Sequence, residues 1–458
     1  MKRSLLSLLL LIPLLAFAQT QSYKRGYGVD QSKFSNQAVA NLSKGAGWYY
    51  DWSHSTYLDF EAAGVDFVPM TWNGGYNANQ LRQFLAAHPN VKYLLAFNEP
   101  NFRDQANMTP SQAAAAWPAL EAIADEYNLK LVSPAPNWCG WCVEEGGTTY
   151  NSPYDWLRDF FAACPDCRVD YIGIHFYMGA MESVKGSIDQ LWEQFHKPVW
   201  LTEFNMDKNG MGDNGTVDEQ RAFMVKMIDW MERDPHVYRY AWFLGRGGIL
   251  TDLVASDKQS LTLLGQVYAN MSSYDTAFYH ALNTRIEAEH YIEMENISLV
   301  TSTDIDGELS IGYTGQGSRI AYQIEVPEAG EYDLTLRTAG EQATWCDLYS
   351  DGTYLATLQI PSSGSWTQWQ NVMTTVNLPQ GKQTLEFRIT AGSCDFNWLM
   401  VVSENTPEAL DQIVHRTSSN RKLIVDGQLI IVTPTGTYNT LGQPTAIENH
   451  KCEIINLK

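Results

Sequence analysis

Two glutamates stand where this chain could do acid–base chemistry: Glu99 in Phe97-Asn98-Glu99-Pro100, and Glu203 in Trp200-Leu201-Thr202-Glu203-Phe204. Each closes an apolar run of the kind that forms a buried strand, at the point where the sequence turns polar. At the C-terminal ends of parallel strands such side chains point into a shared mouth. Two carboxylates facing one cavity can cleave a glycosidic bond, one as proton donor and the other as nucleophile or base. Asn-Glu-Pro alone is a weak motif. The pairing and the strand-end position of both residues give it weight.

The elements that must hold this pair alternate strand and helix. Candidate strands run over 46–52, 65–72, 91–98, 129–133, 170–177, 198–204 and 239–244. An eighth falls at 26–30 or after Asp252. A helix over 111–127 opens at Thr109-Pro110, a cap followed by a first-turn proline. Another over 216–232 carries Phe223, Met227, Ile228 and Met231 on one stripe. This alternation over residues 24–280 predicts an α/β fold, a (β/α)8 TIM-like barrel. A doubly wound sheet would be expected to show a glycine-rich phosphate loop after a strand, and none is present. Residues 285–402 switch to short alternating runs separated by turns such as Pro327-Glu328-Ala329-Gly330, which predicts an all-β sandwich domain. Residues 403–458 read as a strand-turn-strand tail.

Lys2 and Arg3 precede an apolar run ending in Ala16-Phe17-Ala18, a pattern that predicts a signal peptide over 1–18 and a secreted or cell-surface protein. No later stretch is long and apolar enough for a membrane span. The net charge of -21 repels nucleic acid and favours a neutral partner over a polyanion. The 15 Trp and 24 Tyr suit both core packing and stacking on sugar faces. Of the seven cysteines, Cys139/Cys142 and Cys164/Cys167 form CxxC pairs. Local disulfides are expected in an exported chain, with a zinc site as the alternative reading. Cys346 and Cys394 are candidates to bridge each other, which leaves Cys452 over. Trp138 precedes the first CxxC and Trp141 lies within it, and this CxxC is expected to staple a substrate loop. No His/Asp cluster with metal-ligand spacing stands out, so no catalytic cofactor is expected.

With these residues in view, the stretch from Gly45 to Arg246 resembles glycoside hydrolase family 128, of a clan of retaining barrel enzymes. The matching segments include Trp48-Tyr49-Tyr50-Asp51-Trp52, Phe67-Val68-Pro69-Met70-Thr71-Trp72, Leu95-Ala96-Phe97-Asn98-Glu99-Pro100-Asn101, His175-Phe176-Tyr177 and Lys197-Pro198-Val199-Trp200-Leu201-Thr202-Glu203-Phe204. The resemblance implies hydrolysis of β-1,3-glucan, mostly within the chain. It makes Glu99 the acid/base and Glu203 the nucleophile, and has Asn98 hold the sugar 2-hydroxyl. Tyr177 and His175 are candidate site residues on one strand face, and Trp52, Trp72 and Trp242 candidate subsite walls.

Residues 285–402 resemble carbohydrate-binding module family 6 through Ile286-Glu287-Ala288-Glu289, Trp366-Thr367-Gln368-Trp369 and Phe396-Asn397-Trp398. That implies Trp366, Trp369 and Asn397 as sugar contacts and Glu287 and Glu289 as ligands of a structural Ca2+. Gly317-Ser318-Arg319 departs from the family's Gly-Asp-aromatic segment, so one stacking ring is missing. The tail is similar to C-terminal segments of exported Bacteroidetes proteins, which implies a sorting role. The expected protein is a monomeric, secreted β-1,3-glucanase with a glucan-binding module. The alternatives are a surface glycan-binding protein without catalysis and a hydrolase of the same clan acting on another β-glycan.

Overall fold

The computed structural model describes residues 21–305 and 309–403, with strand backbones at Arg421–Val425, Gln428–Thr433, Gly436–Asn439 and Cys452–Ile454. The expected signal peptide lies outside the described residues, as does the turn at 434–435. One compact unit holds the described residues of Ala18–Phe278 and Ala288–Ile320; the other holds those of Tyr279–Glu287 and Ala321–Lys458.

In the first unit, eight strands alternate with eight helices: β1 Ser22–Gly28, α1 Asn36–Leu42, β2 Ala46–Tyr50, α2 Phe60–Ala63, β3 Asp66–Phe67, α3 Ala78–Ala87, β4 Tyr93–Leu95, α4 Pro110–Glu126, β5 Lys130–Val132, α5 Pro153–Ala163, β6 Ile172–Tyr177, α6 Met181–Phe195, β7 Val199–Asn205, α7 Val217–Arg233, β8 Val237–Trp242 and α8 Leu263–Asn270. Six strands form a parallel sheet in the order β3-β2-β1-β8-β7-β6, and β4 pairs in parallel with β5. Single parallel bridges link Met70 to Leu95 and Val132 to Tyr171.

The strand at Ser22–Gly28 overlaps 26–30, one of the two places left for an eighth, but begins four residues earlier, in a polar stretch. Arg25 is fully buried against Glu232, with further bonds to the carbonyls of Tyr268, Met271 and Ser272. Lys24 reaches the carbonyls of Met231 and Asp234. Buried cations are tolerated when so paired. The core between the strands is aromatic: Trp48, Tyr50 and Trp200 pack with Val68, Met70, Leu95 and Val132. Helices α4 and α7 both start with capping boxes, at Thr109/Gln112 and Thr216/Glu219.

In the second unit, Gly381–Ala391, Thr344–Ser350 and Thr353–Ile360 are successive strands of one sheet. A second sheet carries Asp395–Ser403, Gly330–Ala339 and Gln370–Leu378 as antiparallel neighbours. This is the all-β domain anticipated from the alternating runs. The tail strands form a four-stranded antiparallel sheet. Cys139–Cys142 and Cys164–Cys167 are disulfides, so the alternative of a zinc site on these four cysteines falls away. Cys346 and Cys394 are buried and not bridged to each other, and burial pushes the Cys394 thiol up to about 12. The Cys452 side chain lies outside the described residues.

Candidate active site

Glu203 sits inside β7 at an irregularity. Leu201 pairs with Ile174 and Glu203 with His175, so Thr202 is an extra residue on that side. Such a bulge re-aims the side chain beside it. Glu99 lies four residues beyond β4, tied by its N–H to the Ala135 carbonyl at 3.0 Å. Its φ of 40° is left-handed, a conformation that non-glycine residues seldom hold without support from around them.

The two carboxylates meet through His175. Its Nδ1 is 3.0 Å from Glu99 Oε1 and 3.3 Å from Glu203 Oε2, and the ring is fully buried. One oxygen of each carboxylate lies within 4.8 Å of the other. Glu203 accepts from Tyr50 Oη at 2.9 Å, from Trp52 Nε1 at 2.9 Å and from Tyr177 Oη. Asn137 Nδ2 donates to Glu99 Oε1 at 3.0 Å. Among the described residues, both hydrogen bonds of the Glu99 carboxylate fall on Oε1, which leaves Oε2 for a substrate.

Burial pushes Glu99 upward, but the hydrogen bond and charge of His175, with Asn137, outweigh it and hold its carboxyl below the ordinary range. Burial, with the charge of Glu99, raises Glu203 against the opposing pull of His175, Tyr177 and Trp52. Burial works against the His175 cation, yet the two glutamates prevail and raise it. These directions run opposite to a Glu99 acid and a Glu203 anion. Both carboxylates lie within hydrogen-bonding distance of His175, and the three groups share their protons as one set. Moving a proton from Glu203 to Glu99 leaves the site's charge unchanged.

The same trio is compact enough to hold a metal, as is Asp189/Asp234/His236, which lies on α6 and just after α7. At the glutamates a cation would meet N–H and O–H donors already aimed at the oxygens, which suits an anion or a carboxyl, not a metal.

The expected residues separate cleanly. Trp52, His175 and Tyr177 reach the carboxylates. Asn98 is buried beside Glu99 and donates to Gln105 Oε1 at 3.2 Å. Trp72 is half-buried against the inner cluster. Trp242 is a correction: it is fully buried, edge-on to Phe204, with its Nε1 donating to the Thr251 carbonyl, so no face is open to a sugar. Tyr50 and Asn137 were not foreseen. Tyr50 could have been found as the inward neighbour of Trp52, whereas Asn137 comes from a loop with no periodic signal.

In the sandwich, Trp366 is exposed and Trp369 half-buried. Asn397 is a second correction. Arg337 pairs with Trp398 and Thr338 with Phe396, so Asn397 is the extra residue of a bulge and is fully buried. Glu287 holds the Arg285 guanidinium at 2.7 and 2.9 Å, and Glu289 is buried. An arginine already seated on Glu287 opposes a calcium ion there.

The profile of the glycosyl hydrolase catalytic core family matches residues 25–268. The chain belongs to that family. This glycosyl hydrolase also matches the carbohydrate binding module (family 6) profile over residues 287–403. It is 26% identical over 239 residues to alkali-sensitive linkage protein 1 of Schizosaccharomyces pombe, covering 50% of this chain and 41% of that protein. The chain spans less than half the length of the curated relatives it matches. Similar solved structures include a GH128 (subgroup II) endo-β-1,3-glucanase from Sorangium cellulosum, at 37% identity and TM-score 0.47, covering 54% of this chain and 97% of that one. A GH128 (subgroup I) endo-β-1,3-glucanase from Amycolatopsis mediterranei in complex with laminaritriose shows 29% identity and TM-score 0.45, over 54% and 99%. Among the described residues no helix is long and apolar enough to cross a membrane.

Proposed function

We propose that this glycosyl hydrolase is an exported, monomeric, retaining endo-β-1,3-glucanase whose sandwich binds the same glucan through Trp366 and Trp369. The observation that carries the mechanism is the pair Glu99/Glu203 with oxygens within 4.8 Å, joined by His175. That closeness is compatible with a retaining pair, whose carboxyl groups stand about 5–5.5 Å apart. The bridges Met70–Leu95 and Val132–Tyr171 support closure of the parallel strands into a (β/α)8 barrel.

Glu99 Oε2 protonates the glycosidic oxygen as Glu203 attacks the anomeric carbon, forming a glycosyl ester and releasing the leaving sugar. Glu99, now a base, takes a proton from water, whose oxygen displaces Glu203. Three donors on Glu203 favour the anion that must attack and later leave. Asn98 is placed beside the acid for a sugar hydroxyl. The β-1,3 linkage rests on the resemblance to family 128.

Reducing-sugar release from laminarin, curdlan, mixed-linkage glucan and xylan tests this, with the product anomer read by NMR. Release from β-1,3-glucans as the β-anomer, lost in Glu203→Gln, is the expected result. Release of the α-anomer would refute the double displacement, and cleavage of xylan alone the substrate.

A further inference from the structure

The two most exposed tryptophans among the described residues sit on one short disulfide-braced loop. Trp138, just before the Cys139–Cys142 bridge, is 50% exposed, and Trp141, inside the loop that the bridge closes, is 62% exposed. Exposed indoles on a floppy loop would mean little, but this loop is fixed. Asn101 is fully buried and clamps Asn137 on both backbone sides, donating from Nδ2 to its carbonyl at 2.7 Å and accepting its N–H at 3.2 Å. Arg103 N–H bonds the Trp141 carbonyl at 3.1 Å, and its Nε bonds the Cys142 carbonyl at 2.6 Å. The Trp138 ring stands edge-on to Tyr154 with centroids 5.8 Å apart.

The loop also starts at the catalytic acid. Asn137 Nδ2 touches Glu99, and its Oδ1 accepts the Trp138 N–H at 2.8 Å. The proton of Glu99 goes to the leaving oxygen, so the sugars departing on cleavage lie on the Glu99 side. We infer that Trp138 and Trp141 form a rigid stacking platform for the leaving-group side of a neutral β-glucan chain. This rests on the glucanase reading above. A pyranose face is apolar and uncharged, so it can stack on an indole without meeting the repulsion that the net charge of -21 would impose on an anionic chain. The disulfide keeps both rings ordered before substrate arrives, which lowers the entropic cost of binding.

The test compares laminarihexaose with an aryl β-laminaribioside, whose leaving group carries no sugar. In the full chain, Trp138→Ala and Trp141→Ala should each lower kcat/KM on the hexaose about tenfold more than on the aryl substrate, chiefly through KM. Trp138→Phe and Trp141→Phe, which keep a ring, should restore most of that loss. Equal losses on both substrates, or no loss on the hexaose, would overturn the platform while leaving the glucanase reading intact. If the unmodified, folded chain cleaves neither substrate, the glucanase reading fails and the platform's ligand with it.

Discussion

His175 Nδ1 lies 3.0 Å from the Oε1 of Glu99, inside a site where the imidazole ring is wholly covered. With Glu203 3.3 Å away, a cation there serves both carboxylates. His175→Gln removes that cation, and an anion that loses a neighbouring positive charge becomes harder to form. Both glutamates should therefore titrate at higher pH. The acid limb of the kcat/KM profile should move upward, and the rate at neutral pH should fall. An acid limb that stays in place or moves down would show that His175 does not charge in the working enzyme.

Much of this arrangement was legible because strand ends are legible. Glu99, Glu203, His175, Tyr177 and Trp52 all follow or close apolar runs, and period two along β6 puts His175 and Tyr177 on one face. The same rule misplaced Trp242, since a strand-end tryptophan can as easily close the core above it as line a cleft. Asn397 failed for another reason: the resemblance to family 6 implied it as a sugar contact, but in this chain a one-residue bulge at that position leaves it buried. The strand at 22–28 was hard to recognise because its Lys24 and Arg25 are partnered by carbonyls and by Glu232 from far along the chain. Asn137 depends on a loop clamped by Asn101, a contact 36 residues apart.

Tyr177 donates its hydroxyl to Glu203 Oε2. Burial, with the charges of both glutamates, pushes the phenol well above its usual value, so it stays a donor at any working pH. Tyr177→Phe keeps the ring and removes only that donor. Loss of one preorganised donor at a reacting oxygen costs about 3 kcal/mol of transition-state stabilisation. Steady-state kinetics on laminarin should show kcat down about a hundredfold with KM little changed. A rise in KM with kcat preserved would mean that Tyr177 binds sugar instead of aligning the nucleophile.

Asn137 is one of the two hydrogen-bond partners that lower the Glu99 carboxyl. Asn137→Ala should let that carboxyl rise, so Glu99 holds its proton to higher pH. The alkaline limb of kcat/KM should shift upward even as the maximal rate falls. The prediction fails if the limb moves to lower pH, which would mean that Asn137 acts on the proton donor in some other way.

Asp51 is the case where pH should act on the fold rather than on the chemistry. It is buried, and burial pushes its carboxyl up to about 7. The Ser53 N–H and the charge of Asp30 face it, and Oδ2 has no hydrogen-bond partner among the described residues. An unfolded aspartate titrates near 3.9, so between about 4 and 7 the folded chain binds more protons than the unfolded one, and stability falls as pH rises. Asp51→Asn keeps an acceptor for Ser53 and never ionises. Its thermal stability relative to the parent should therefore rise across that window and stay level above it, the gain reaching at most about 4 kcal/mol. Unfolding scans at pH 4, 6 and 8 decide the matter. A gain that is the same at all three would show that Asp51 titrates in the fold as it does in the unfolded chain, or that the substitution acts by packing alone.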